Sequence, residues 1–181
     1  NICLAYNCYP PEKDRPTSSF SVDELLPYVG YYDKDGNLKD TFFDSFLFLP
    51  YSAFTYSSHY KSADGWKYYV DNTFADGKNV DALDTAAEKV GSELGVDCNI
   101  KVFLTLFHTV PTYGDFPEKF GDLDGDGVDE DLSLLENKIK VTKWMIDTQI
   151  ARFNEKERKN LTLAGFYWFE EEINYENPHE F

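Results

Sequence analysis

Residues 45–51 read S-F-L-F-L-P-Y, an apolar run in which no polar residue interrupts the stretch from Phe46 to Pro50. A strand with one face in water alternates apolar and polar side chains. A strand covered on both faces has no need to, and such continuity marks a parallel sheet with helices packed on it. Three further apolar runs read as buried strands. Asn1 to Tyr9 (N-I-C-L-A-Y-N-C-Y) stops at Pro10 and Pro11, and alternation puts Cys3, Ala5 and Asn7 on one face with Ile2, Leu4 and Tyr6 on the other. Ile100 to Thr109 (I-K-V-F-L-T-L-F-H-T) is β-branched and aromatic and is ended by Pro111. Leu161 to Phe169 (L-T-L-A-G-F-Y-W-F) leads directly into Glu170, Glu171 and Glu172.

Helical signals lie between these runs. Ser21 with Glu24 forms a capping-box pattern that opens a short helix through Leu25 and Leu26, ended by Pro27. Asp33, Asp35, Gly36 and Asn37 then read as turn residues. Helical pattern returns at Trp66 to Phe74. It is clearest from Asn79, where Val80, Leu83, Ala87, Val90 and Leu94 step by three and four, with Asn79 as N-cap and Gly95 as stop. A loop from Tyr113 to Glu130 precedes a last helix whose inward stripe reads Leu132, Leu135, Ile139, Thr142, Ile146, Ile150 and Phe153.

Four buried strands separated by helices of crossover length imply parallel pairing in right-handed βα units. The fold class expected is therefore α/β, a (β/α) barrel of the TIM type, with residues 1–181 forming a single domain that holds the first four units, an N-terminal half barrel. An open four-stranded sheet is the competing architecture. The first strand is followed by no glycine-rich phosphate turn, which argues against a dinucleotide-binding version of it.

Composition restricts function. Against 17 Lys and Arg stand 33 Asp and Glu, a net charge of −16, with no basic cluster. A polyanion repels phosphate backbones and anionic lipid, so nucleic-acid partners and membrane surfaces are not expected, and no apolar run has the roughly 20 residues that would insert into a bilayer. Aromatic residues make up 17% of the chain, with 13 Tyr among them. Tyrosine hydroxyls need partners or water, so some of these rings suit a ligand surface as well as a core. Cys3, Cys8 and Cys98 cannot all pair with one another, and their spacing matches no zinc template. A charged-then-apolar leader is absent from this chain, which begins at Asn1 and reads as a processed product.

In a (β/α) barrel, reacting residues stand at the carboxyl ends of the strands. Asp44 precedes its strand and reads as a turn or capping carboxylate. Glu170, Glu171 and Glu172 follow theirs. Glycoside hydrolysis needs a carboxylic acid to protonate the leaving oxygen and a second carboxylate as base or nucleophile. An aromatic wall such as Trp168 and Tyr167 would favour the protonated form of a nearby carboxyl by desolvation. Strict alternation would project Glu170 with Trp168 and Ala164. Asn7 and Tyr9 after the first strand, and His108 after the third, are candidate sugar contacts. No second strand-end carboxylate is visible.

Residues 122–130 read D-L-D-G-D-G-V-D-E. Asp122, Asp124 and Asp126 at positions one, three and five, a turn glycine at six, the Val128 carbonyl at seven and Glu130 at nine reproduce most of a Ca²⁺ loop. Ser133 stands where an EF-hand has its glutamate, so the loop is incomplete. Ca²⁺ is the cofactor expected, and the rival reading is a solvated loop whose aspartates cap the next helix. No G-x-S-x-G elbow, Walker A loop or H-E-x-x-H occurs.

The series DELLPYVGY, FFDSFLFL (residues 42–49), FGDLDGDG (120–127), KWMID (143–147) and LAGFYWFEEEI (163–173) resembles, in order and spacing, the secreted bacterial family catalogued as domain of unknown function 4855. Its G-F-Y-W-x-x-E element places the family glutamate at Glu171. The resemblance implies a glycoside-hydrolase-like barrel, secreted or on the bacterial cell surface, with carbohydrate as partner. It also implies further βα units, a missing C-terminal half, as the structural complement of these residues. The expected function is therefore a glycoside-hydrolase-like protein acting on a polysaccharide or glycan through carboxylate acid/base chemistry, with Glu171 first and Glu170 second as the reacting group. The alternative is a non-catalytic carbohydrate-binding or calcium-stabilised structural module.

Overall fold

The computed structural model describes residues 1–8, 19–50, 62–107, 119–169 and 171. Among the described residues six strands and four helices follow one another: β1 (Ile2–Asn7), α1 (Val22–Val29), β2 (Gly30–Tyr32), β3 (Leu38–Thr41), β4 (Ser45–Pro50), α2 (Ala63–Thr73), α3 (Asn79–Leu94), β5 (Ile100–Leu106), α4 (Leu135–Asn154) and β6 (Leu161–Trp168). Strands β1, β4, β5 and β6 form one sheet, neighbours in chain order and parallel throughout. Each of the four apolar runs thus supplies one strand, paired as the sequence implies. Among the described residues the sheet is open and no barrel closes.

Burial follows the pleat. On β1, Ala5 and Asn7 are buried, whereas Ile2, Leu4 and Tyr6 are 55%, 51% and 42% exposed. The first run is thus covered on one face only. Every residue of β4 is buried, as its continuous apolar run requires. Phe46, Phe48, Val102 and Leu104 share the covered face with Ala5 and pack into one core with Leu83, Ala87 and Val90 of α3 and Val141 and Met145 of α4.

Helix α1 opens as its capping box requires. The Glu24 carboxylate accepts from the Ser21 backbone N–H (2.8 Å) and hydroxyl (2.6 Å). Pro27 does not end it. The helix runs on to Val29 with Pro27 inside, because in so short a helix the missing N–H removes a single ladder bond. The turn residues Asp33 to Asn37 join two short strands, β2 and β3, that the sequence reading missed; Asp33 Oδ1 accepts from the N–H groups of Asp35 and Asn37, both at 2.9 Å.

Helix α3 has the predicted boundaries and stripe, and Gly95 ends it in the left-handed region at φ 69°. Asn79 is not its N-cap. With φ at 45°, Asn79 faces the segment before α1 instead: its Oδ1 accepts from Phe20 N–H and its own N–H donates to Phe20 O, both at 2.9 Å. The stripe of α4 also differs. The helix buries Val141, Met145, Gln149 and Phe153, while Leu135, Ile139 and Ile150 stay exposed. Two stripes at helical spacing coexist on this helix, and the one that contains Gln149 packs. Its carboxamide makes that possible by donating to Thr105 O (3.2 Å) and Met145 O (3.3 Å).

Candidate carboxylate site at the strand ends

Strand β6 changes step within its length. Val102 of β5 pairs with Leu163 and the next residue, Phe103, pairs with Gly165, so Ala164 is an extra residue, a bulge. A one-residue slip exchanges the faces of everything beyond it. Leu161 and Leu163 lie on the covered face before the bulge, and Phe166 and Trp168 lie there after it, packed against the core. Tyr167 is thereby turned to the open face.

This overturns the alternation expected from sequence. Ala164 and Trp168 do not project together as one regular row, and Trp168 belongs to the helix side. Tyr167 is the aromatic residue that meets the glutamate. Past Trp168 the chain turns back, with the Glu171 N–H donating to Trp168 O at 3.1 Å. Glu171 sits at φ 54°, in the left-handed region, which costs a non-glycine residue on the order of 1 kcal/mol. The turn lays the exposed carboxylate over Tyr167, whose hydroxyl donates to Glu171 Oε1 at 2.5 Å.

A row of rings ties this pair to the interior. Tyr167 meets Phe169 edge-on with centroids 6.4 Å apart, Phe169 stacks on Phe107 at 6.3 Å, and Phe107 lies 6.5 Å from Trp66, a fully buried residue of α2. Offset and edge-to-face pairs at such distances are favourable beyond their burial. The exposed end of the row therefore has a fixed base.

The other candidates are placed as follows. Asn7 is fully enclosed and donates to Thr73 Oγ1 at 2.8 Å, which leaves it no surface at the strand ends. Glu170, Tyr9 and His108 lie outside the described residues. Asp44, at the opposite end of the sheet, accepts from the Ser45 hydroxyl at 2.8 Å. Two grooves on the described surface adjoin α3, one of about 320 Å³ beside Cys98 and Asn160, the other of about 610 Å³ beside Leu26 and Tyr32; neither includes Glu171.

The acidic loop lies between β5 and α4. Asp122 folds it by accepting from the N–H groups of Gly125 (2.7 Å), Asp126 (3.2 Å) and Gly127 (2.8 Å), and Asp126 accepts from Val128 N–H at 2.8 Å. One oxygen from each of Asp122, Asp124 and Asp126 lies within 4.8 Å of the others. Glu130 does not join them. Buried beneath, it accepts from Leu123 N–H at 2.8 Å and from Lys140, whose ammonium also reaches Asp124 at 2.6 Å. The bonds to Asp124 and Glu130 push the Lys140 ammonium up, and the Lys140 bond holds Asp124 below the usual carboxylate range. Sequence spacing carries no sign of Lys140, because it approaches from the next helix.

Compared with known proteins, residues 1–181 match the family described as Domain of unknown function (DUF4855). No curated protein and no solved structure matches the chain.

Proposed function

The chain belongs to the family Domain of unknown function (DUF4855), and from that premise we propose that it is a glycoside-hydrolase-like protein, acting on a polysaccharide or glycan through carboxylate acid/base chemistry with Glu171 as the reacting group. The observation that carries this reading is the Tyr167–Glu171 pair at the carboxyl edge of a parallel sheet. In parallel α/β folds that edge is where ligands bind, and a carboxyl group beside a ring is one of the two acidic groups that glycoside hydrolysis needs. Tyr167 and Phe169 offer faces for a sugar ring, and Glu171 stands within reach of a glycosidic oxygen laid across them. A second carboxylate completes the chemistry; Glu170 is the alternative for the role given to Glu171, not that second group.

The fold under this reading is four βα units of a (β/α) barrel. Chain-order parallel pairing supports it, as does the exposed apolar face of Ile2, Leu4 and Tyr6, which would be interior in a closed barrel. The family resemblance further supports a secreted or cell-surface bacterial setting, where glycans are met. As a second part of the proposal, the loop at Asp122, Asp124 and Asp126 takes Ca²⁺, supported by their convergence within 4.8 Å. Lys140 is then its competitor: a divalent ion would displace the ammonium from Asp124.

The test is a screen of the full-length protein against soluble and insoluble polysaccharides, scoring binding and the release of reducing ends separately. Release supports the hydrolase. Binding without release supports the alternative, a carbohydrate-binding module. A protein that shows no binding and no release on any glycan contradicts both.

A further inference from the structure

Tyr167 and Glu171 are four residues apart at the end of a strand, where an extended chain would carry them about 13 Å from each other. They meet because Glu171 adopts a left-handed backbone and its N–H closes a turn on Trp168 O. The bulge at Ala164 is the second requirement, since without the change of step Tyr167 would face the helices. Two local irregularities thus converge on a single contact between exposed or half-buried groups, a kind of contact that adds little to stability in water. Backbone irregularities cluster where a side chain has to be aimed.

Resting on the proposed carboxylate chemistry, we propose that Tyr167 is the positioning residue of this site: its hydroxyl fixes Glu171 Oε1 and leaves Oε2 to meet the substrate. The phenol is suited to this because its ring is set by Phe169, Phe107 and buried Trp66 in turn, so the core decides where the hydroxyl stands. Glutamate is the opposite case. A free surface glutamate samples many rotamers, and ordering one costs conformational entropy. The phenol supplies that ordering before substrate arrives, which is how a held carboxylate differs from a solvated one in rate.

The experiment uses the full-length protein with carboxyl-¹³C glutamate. The Glu171 resonance is assigned by its disappearance in Glu171→Gln, then compared among the parent, Tyr167→Phe and Tyr31→Phe, the last an exposed hairpin control. The proposal expects the resonance to move in Tyr167→Phe and to stay in Tyr31→Phe, with the same thermal midpoint in all three. On a glycan the parent hydrolyses, Tyr167→Phe should lower kcat about tenfold with KM held. An unmoved resonance overturns the proposal whatever the turnover, and so does a moved resonance with unchanged kcat. A moved resonance in a protein that hydrolyses no glycan supports the positioning and rejects the hydrolase reading, so the two failures are distinguishable.

Discussion

The backbone N–H of Thr105 donates to the hydroxyl of Tyr69 at 3.1 Å, and the same hydroxyl donates to Phe48 O at 2.9 Å. A helix side chain thus stands between β4 and β5 where a ladder bond would otherwise run, and the pairing of these strands ends at Phe48 and Leu104. Thr105 Oγ1 also donates to Phe48 O, at 2.8 Å, and burial pushes the Tyr69 phenol up, so it remains a neutral donor.

Tyr69→Phe should therefore cost about 2 kcal/mol of unfolding free energy. It leaves the Thr105 N–H without its buried partner while preserving the ring. Chemical denaturation is the measurement. A loss under about 0.5 kcal/mol would mean that water or strand closure replaces the hydroxyl.

The two stripes of α4 make opposite predictions. Met145→Ala, on the buried stripe, should destabilise by about 3 kcal/mol through the cavity it opens. Ile139→Lys, at a position 56% exposed, should change stability by about 0.5 kcal/mol or less. The reverse order in a thermal melt would restore the stripe read from sequence.

Arg158 is the buried clamp beneath α3. It donates to Asp81 Oδ1 at 2.8 Å and to Phe153 O, over the rings of Phe74 and Phe153 at 5.6 and 5.3 Å. Burial alone would raise the Asp81 carboxyl, but its bonds to Lys156 and Arg158 outweigh that and hold it below the usual range. A carboxyl lowered in the folded state stabilises fully above its unfolded value, near 3.9, and loses that contribution as pH falls through the folded value. Asp81→Asn should cost about 3 kcal/mol at neutral pH, and its deficit should shrink below about pH 4. A pH-independent deficit would contradict the assignment.

For the acidic loop, calorimetric titration with Ca²⁺ should show one site, and Lys140→Met should tighten it by removing the competing ammonium. If neither the parent nor Lys140→Met takes up Ca²⁺, the three aspartates are a solvated turn.

The strands were legible because each is a short apolar run closed by proline or followed at once by a charged run, and α3 because its stripe is the sole one that helix offers. Helix α4 was not, since its packed stripe contains Gln149, a polar residue that periodicity assigns to water unless its bonds to Thr105 O and Met145 O are known. Strands β2 and β3 escaped because, at three and four residues, they are too short to show a period beside the turn they flank. At the site, Glu171 was readable as a carboxylate beyond a strand with Trp168 and Tyr167 as its aromatic neighbours, but which of the two rings is its partner was not. The bulge decides that partner, and its sole local sign is a glycine inside a strand, Gly165 next to Ala164.

The central claim is that Glu171 performs acid/base chemistry on a glycosidic bond. The most direct test compares the rate of reducing-end release by the full-length parent and by Glu171→Gln on the same glycan, with binding of that glycan measured alongside. The account predicts a loss of turnover on the order of a hundredfold or more with binding largely kept. A Glu171→Gln protein as active as the parent would contradict it.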